Sequence, residues 1–565
     1  MKKIFQVLTL AAMAAAFSAC VKDLNTQPID VDVTTAEAVY ATADGYAGVL
    51  GKCYASFVVP GQGGKDNDIS NMDSGYSCFT RALYYLQECT TDEVLFHAGG
   101  GKGSLSLITM NWDASTELPS YIYYRLYITV ALTNEFLREA KDEKIASRGL
   151  TDALSGKIVA YRAEARFMRA YCYTMLCDLF GSVPFIDDSL PTGTAPTQKT
   201  RKEIYDFVVN ELKAIENDLV EPGAQEYGRI DRVACWFLLS RVYLNAQIYS
   251  GTADWANAYT YAKKVIDDTH YSLAPNYIEN FLKDNDTCKE IIWGLANGGD
   301  KTQGSGGTNF VMKYSASAEF QGLVENGLSE NWSGNGRLRK AFVEKFDPAD
   351  QDFDPADTWC DNKKDKRALL YGGPATSNQK ETWLEGSAFK KDFKLGYSFT
   401  KYRNVTKDRR NPGRETYSSV DLPMFRKAEA YLTAAEAILR GGGGSRADAL
   451  KYVNEVRNRA YHSGPYATYG HNVADGAITD AQLTLDFILD ERARELYTEM
   501  VRRTDLIRYD YFTTDKYLWD WKGCATSGST DHEGKAVDHK YNLFPIPQDD
   551  ILNNPNGIQQ NPDYR

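Results

Sequence analysis

The sequence predicts a mainly α protein: a repeat scaffold of paired helices carrying a large irregular lobe of loops and short strands. Three observations predict it. Apolar residues recur at spacings of three and four, as in Ala163, Phe167, Ala170 and Tyr171, which places them on one helix face. Small alanines alternate with large aromatics in RAEARFMRAY, in LLSRVYLNAQIY with ADWANAYTYAKKVI, and in KAEAYLTAAEAILR. Helix pairs of about 34 residues packed through such positions are tetratricopeptide-like. Residues 270–420 break this pattern with many glycines, with Trp293, Trp332, Trp359 and Trp383, and with strand-like pieces such as EIIWGLA.

From the N-terminus, Lys2 and Lys3 precede an apolar run at 4–17 and then Ser18-Ala19-Cys20. A basic head, an apolar core and small residues before a cleavage point make a secretory signal over residues 1–19. The run is shorter than the roughly 20 apolar residues that span a bilayer. FSAC resembles a bacterial lipobox, with Phe17 where Leu is usual, so Cys20 is the expected lipidated N-terminus of the mature chain. Each buried acyl methylene contributes about 0.8 kcal/mol, so several chains give a stable anchor. The body is then expected outside the cytoplasm.

Residues 20–269 form the first helical region. Helices are predicted over 121–143, 151–180, 201–219, 232–249 and 253–268, with Gly181 and Pro184 closing the second. Residues 55–120, rich in Gly, Asp and Ser, interrupt it. The insertion at 270–420 is too long for a linker, and loops on a rigid scaffold are where binding usually sits. The helices therefore read as scaffold and the insertion as the ligand-facing part. Residues 421–565 return to helix at 421–440, 446–460 and 480–498, with GGGGS (441–445) as a turn and Thr479 with Gln482 as a capping box.

Composition narrows the function. The formal charge is −12, which argues against a nucleic-acid partner, because phosphate binding is driven by Lys and Arg. The 37 Tyr, 24 Phe and 9 Trp supply a core and also the flat faces on which sugar rings stack. Ten cysteines less Cys20 leave an odd number, so not all can pair internally. Cys172, Cys177 and Cys235 fall in apolar helical patterns and read as small buried hydrophobes. A bridge among Cys53, Cys78 and Cys89 is left open by their spacing.

No G-x-S-x-G, H-E-x-x-H or G-x-x-x-x-G-K-[ST] occurs, and no C-x-x-C. HEGKA at 532 lacks the second histidine, and GGGKGS (99–104) has the wrong spacing for a phosphate loop. Paired carboxylates of a glycosidase leave no local signature. FDPADQDFDPAD (346–357) has calcium-loop spacing but Pro355 where the turn needs glycine, so it reads as a solvated acidic loop and no metal is expected. No cofactor is implied either. ENWSGNGR (330–337) is the stretch singled out for binding: Trp332 would stack, and Asn331 or Asn335 would bond hydroxyls. In YLWDWKG (517–523), Trp519 and Trp521 alternate as on a strand, so at least one should face the core.

Five stretches together resemble the SusD/RagB family of Bacteroidetes outer-membrane lipoproteins. They are AEARFMRAYCYTMLCDLFGSVPF (163–185), RVYLNAQIYSG (241–251), DLPMFRKAEAYLTAAEAILR (421–440), ILDERARELYTEMVRRTDLIRY (488–509) and NLFPIPQDDILNNPNGIQQNPDY (542–564). The resemblance implies four tetratricopeptide-like helix pairs supporting an irregular lobe. It implies a surface-exposed, non-catalytic glycan binder, lipid-anchored in the outer membrane and seated on a SusC-type TonB-dependent transporter; Asp23 suits surface export. It also implies a site. In starch-binding members an aromatic arc, an acid and an arginine hold the glucan, and Asp73, Arg81 and Trp332 match by local alignment. Where the arc has a tryptophan, this chain reads TDEVLFHAGG, with Phe96, His97 and then Ala98; the GSGGTN loop (304–309) lacks an arc tyrosine. The arc is then expected to be rebuilt from Phe96, Phe310 or Tyr314. The alternatives are capture of a peptide or another nutrient for the same kind of transporter, and a surface glycosidase.

Overall fold

The computed structural model describes residues 35–61, 67–96, 102–332, 336–373, 396–410, 413–461, 476–524 and 533–564. Cys20, His97, Ala98, Asn335, Trp383 and His532 lie outside them. Most of the described secondary structure is helix, joined by a few strands of two to five residues. No described helix is long and apolar enough to cross a membrane.

The scaffold begins with α1 (Ala43–Ala55), α2 (Phe79–Gln87) and α3 (Leu118–Glu139). Next come α4 (Ile158–Phe180), α5 (Arg201–Ile215), α6 (Arg232–Leu244) and α7 (Trp255–Asp267). Their starts follow from local chemistry. Thr42, Asp231 and Asp254 each accept a backbone N–H of the first turn, and Thr200 with Glu203 forms a capping box on α5. α3 packs on α4 and α4 on α5, while α6 packs on α7. Helix α4 is buried along every residue from Ala163 to Phe180 except Arg166, and it stops at Gly181, whose φ of +73° disfavours any other residue.

The 55–120 stretch supplies β1 (Val94–Phe96); in the irregular lobe, β2 (Ile291–Leu295) precedes α8 (Gly307–Ser315) and β3 (Gly336–Leu338). β1 pairs antiparallel with β3, matching Phe96 to Gly336. The chain then reaches β4 (Leu422–Arg426), α9 (Lys427–Leu439), α10 (Arg446–Ala460), α11 (Leu485–Leu496) and α12 (Arg502–Arg508). α9 packs on α7, α10 and α11. β4 pairs antiparallel with β2, so the lobe leaves and rejoins the scaffold through one two-stranded ribbon. Trp293 on β2 plugs that neck: its ring sits 5.7 Å from Phe57, 5.1 Å from Tyr171 and 5.2 Å from Phe425, all near edge-on. Such pairs contribute about 0.5–1.5 kcal/mol each beyond area burial.

Several expectations shift. The helix over 151–180 breaks after Leu154, with Gly156 at φ +75°, and resumes at Ile158. That over 232–249 divides at Asn245, which caps a short second helix, Ala246–Ser250. Residues 421–440 do not begin as helix. Leu422–Arg426 is a strand because its apolar run finds a partner in β2, a long-range pairing that local periodicity cannot register. Over 480–498, the Thr479 capping box closes a 3₁₀ turn, Asp480–Gln482, and Thr484 caps the true helix by accepting from the Phe487 N–H at 3.1 Å. Trp519 and Trp521 lie in no strand. Both are buried, and Trp521 has a φ of +74°. Cys172, Cys177 and Cys235 are buried as expected, and Cys53, Cys78 and Cys89 are free, buried thiols.

The acidic 346–357 stretch is not simply solvated. Asp350 is buried and accepts the N–H groups of Lys364 and Asp365 at 2.9 and 3.0 Å. Asp352 accepts from the Tyr397 hydroxyl, Asp354 caps Ala356, and Asp361 pairs with Arg409. These carboxylates point to separate partners, and no metal-binding cluster of three such groups occurs among the described residues.

Candidate functional site

The turn after residue 67 leads into α2 and sets the first half of the site. Asp73 is exposed; its Oδ1 accepts the N–H groups of Gly75 and Tyr76 at 2.9 and 3.0 Å, an Asx turn that fixes where Tyr76 points. Arg81 follows on the first turns of α2. Its guanidinium carbon lies 4.0 Å from the Tyr76 ring centre, 5.1 Å from Trp332, 5.3 Å from Phe310 and 5.7 Å from Tyr85. Its Nε donates to the Tyr85 hydroxyl at 3.1 Å. Such cation–π contacts strengthen as water is excluded. Among the described residues Arg81 has no ion pair, although Asp73 stands close. A Cβ built on Gly75 would fall 2.8 Å from Arg81 Nη1 and 3.1 Å from Asp73 Oδ1. Gly75 is therefore the spacer that lets these two groups approach.

The second half comes from the lobe. The Trp332 N–H donates to the Lys313 carbonyl at 2.8 Å, hooking the ENW segment onto α8, and leaves the indole half-buried. Asn331 Nδ2 donates to Gln321 Oε1 at 2.8 Å. Lys313 pairs with Glu330 at 2.7 Å across the same hook. On the other flank Lys102 donates to Glu117 at 2.7 Å and to the Tyr121 hydroxyl at 2.6 Å, with its ammonium 5.3 Å from the Tyr76 ring centre.

The structure thus brings Asp73, Arg81 and Trp332 together, from segments 250 residues apart in sequence, with Asn331 beside them on the same hook. It corrects the other aromatics. Tyr314 is only 2 % exposed: its hydroxyl donates to the Leu95 carbonyl, and its ring fills the space a Gly336 Cβ would need. Phe310 is fully buried, and Phe96 is 7 % exposed, with its ring 4.7 Å from Tyr85. These three are the floor beneath Arg81 and Trp332 and offer no open face. α8 packs against α2, and that packing buries them. Tyr76 was missed. Its one local signal is DSGY, in which Asp73 starts a turn that Gly75 permits and Tyr76 ends.

The site offers one half-buried indole, one half-buried tyrosine and one guanidinium with a single hydrogen bond among the described residues, flanked by an exposed carboxylate. Flat apolar faces beside planar donors suit a polyhydroxylated ring, which has C–H faces and hydroxyl edges.

Two family models match the chain. One, described as "SusD family", matches residues 255–564, and the other, "Starch-binding associating with outer membrane", matches residues 82–244. Starch-binding protein SusD of Bacteroides thetaiotaomicron is 34% identical over 598 aligned positions, covering 100% of this chain and 99% of that one. A SusD-like protein of Bacteroides ovatus is 22% identical, covering 79% and 82%. Among solved structures, a SusD superfamily protein from Bacteroides vulgatus superposes with a TM-score of 0.66 at 21% identity, covering 93% of this chain and 99% of its own. Surface glycan-binding protein A from Bacteroides thetaiotaomicron, in complex with laminarihexaose, gives 0.63 at 19%, covering 92% and 99%. With one model spanning more than half of the sequence and a relative aligned end to end, the chain belongs to the SusD/RagB family.

Proposed function

We propose that this protein captures a neutral glycan at the surface formed by Trp332, Tyr76, Arg81 and Asp73 and hands it to a SusC-type TonB-dependent transporter. Lipid on Cys20 would hold it to the outer membrane. As a member of its family the chain is a non-catalytic binding protein. In this reading Trp332 stacks on a sugar ring, and Arg81 and Asp73 bond its hydroxyls. The observation that carries it is Arg81: a guanidinium among aromatic rings, paired with no carboxylate among the described residues, beside a half-buried indole. The names of the relatives, which include a starch binder and a structure holding laminarihexaose, support a glucan as the first ligand to try. The burial of Tyr314 and Phe310 leaves fewer open rings than an arc, which supports contact with few sugar units at a time.

The test is native affinity electrophoresis of residues 21–565 in gels containing amylopectin, pullulan, levan, inulin, xylan or mucin glycans. Retardation by one polymer, lost in Trp332→Ala, is the expected result. Retardation unchanged in Trp332→Ala and Arg81→Ala would remove the site from this surface. Retardation by none of the polymers would count against polysaccharide capture and favour peptide capture.

A further inference from the structure

A half-open cavity of about 530 Å³ lies beside α1, and none of the Arg81-site residues lines it. We propose that it is a second binding site, for one or two pyranose units of a neutral saccharide. This goes beyond the Arg81 reading and stands on different residues.

Three tyrosines, Tyr54, Tyr161 and Tyr227, line the cavity. Tyrosine ordinarily buries its ring and keeps its hydroxyl wet. Tyr227 is inverted. Its hydroxyl is taken by Asp421 and lies 2.8 Å from where a Gly294 Cβ would be, yet the residue is 42 % exposed. The ring is a fixed plate with an open face. The Tyr54 hydroxyl is spent in the same way, donating to Glu164 at 2.5 Å and accepting the Ile230 N–H at 2.9 Å. Arg229 stands 5.2 Å from the Tyr161 ring centre.

Charge then selects the ligand. Arg229 is paired with the buried Glu164 at 2.6 Å, with Glu226 a further 3.7 Å contact, so the one cation on the wall is already taken by carboxylates. A phosphate or carboxylate ligand would find no cation to spare and would meet Glu226 instead. A neutral ring with apolar C–H faces finds tyrosine faces, and its hydroxyls find the polar edge of Arg229 and Thr302.

Room for it is left open on α1. Gly51 lines the cavity inside the helix, and a Cβ there would meet nothing within 4 Å. A helix-interior glycine costs about 0.5–1 kcal/mol against alanine. A ligand could therefore lie against the helix backbone at Gly51 without displacing a side chain.

The experiment is calorimetric titration with maltohexaose, laminarihexaose and xylohexaose. The proteins are the wild type, Gly51→Trp, Arg81→Ala/Trp332→Ala, and that double variant with Gly51→Trp or Tyr227→Ala added. The double variant should keep a weaker binding of at least one sugar. Gly51→Trp, whose Cβ meets nothing within 4 Å and whose ring would occupy the cavity, should reduce that remainder roughly tenfold or more, as should Tyr227→Ala. On the wild-type background Gly51→Trp should leave binding at Arg81 intact. Loss of all binding in the double variant overturns the second site and leaves the Arg81 site standing. A remainder indifferent to Gly51→Trp and Tyr227→Ala overturns it as well. Binding undiminished in the double variant but lost on Gly51→Trp would overturn the Arg81 site and keep this one. No binding of any sugar by the wild type overturns both.

Discussion

Arg426 and Arg81 sit in two regions built on opposite terms. Arg426, 1 % exposed on β4, reaches Glu290 at 2.6 Å, Glu495 at 3.0 Å and Glu499 at 2.7 Å. Around it Arg459 meets Glu290, Arg367 meets Glu491 and Asp365, and Arg502 meets Asp92, all buried. This network ties α11, the 365–367 turn and the β2–β4 neck together. For Glu290, burial alone would raise its pKa, but Arg459 and Arg426 outweigh it and hold it low. Arg81 has rings in place of carboxylates, and its one hydrogen bond among the described residues goes to Tyr85. A guanidinium with all donors matched is holding a fold. One held in place by ring faces, with donors to spare among the described residues, is free of that structural duty.

The contrast is easiest to break at Glu495. Replacing it by alanine leaves Arg426, Arg459 and Arg367 short of a buried partner, which costs about 3–5 kcal/mol when one half of a buried pair is removed. A large fall in thermal midpoint, or failure to fold, is expected. Arg81→Ala should cost under about 1 kcal/mol of stability, since it empties no ion pair. A Glu495→Ala protein as stable as wild type would erase the distinction.

A second handle is pH. Glu88 and Glu93 are buried together; burial pushes Glu88 up to about 7 and, with the neighbouring Glu88 charge, pushes Glu93 up as well. Their carboxylates receive the N–H groups of Met500 and Thr498, both in left-handed conformation. A carboxyl raised in the folded state keeps its proton where the unfolded chain has lost it. Its stabilisation is complete below the ordinary glutamate pKa and is lost as pH rises through about 7. Thermal midpoints should therefore fall across that window, and Glu88→Gln should flatten the fall. Arg81 stays charged throughout, so glycan affinity should follow pH less than stability does.

Affinity separates the regions next. Trp332→Ala and Arg81→Ala should each weaken glycan binding about tenfold, or about 1.4 kcal/mol, at unchanged melting temperature. Arg81→Lys should recover only part, because an ammonium cannot lie as a plane on the Tyr76 ring. The smallest effect is expected from Gly75→Ala. Its methyl would press on Arg81 Nη1 at 2.8 Å and turn the guanidinium away, for a loss of about threefold in titration.

Legibility in the sequence divides along the same line. α4 could be read because its apolar spacing is local and continuous, and its stop at Gly181 is a backbone requirement. β4 could not, because LPMF becomes a strand only by pairing with β2, over 120 residues earlier in the chain. The charged residues of ILDERARELYTEMVRR could be matched to a family, but their burial and mutual pairing depend on where β4 and the 365–367 turn arrive. For the proposed site, the resemblance pointed to Asp73, Arg81 and Trp332, which the structure brings together. Tyr314 and Phe96 read as exposed because a tyrosine after a glycine-rich loop and a phenylalanine at a strand end look open until Tyr84 and Tyr85 of α2 pack against them. Tyr76 and the Lys102–Glu117–Tyr121 flank left no motif, since their placement is set by a turn and by helix packing.

The most direct test of the account is a crystal structure of residues 21–565 with the hexasaccharide that binds tightest in titration. The account predicts a sugar ring against the open face of Trp332, with a hydroxyl bonded to an Arg81 Nη atom and Tyr76 alongside. A saccharide ordered elsewhere on the protein, with Trp332 and Arg81 untouched, would contradict it.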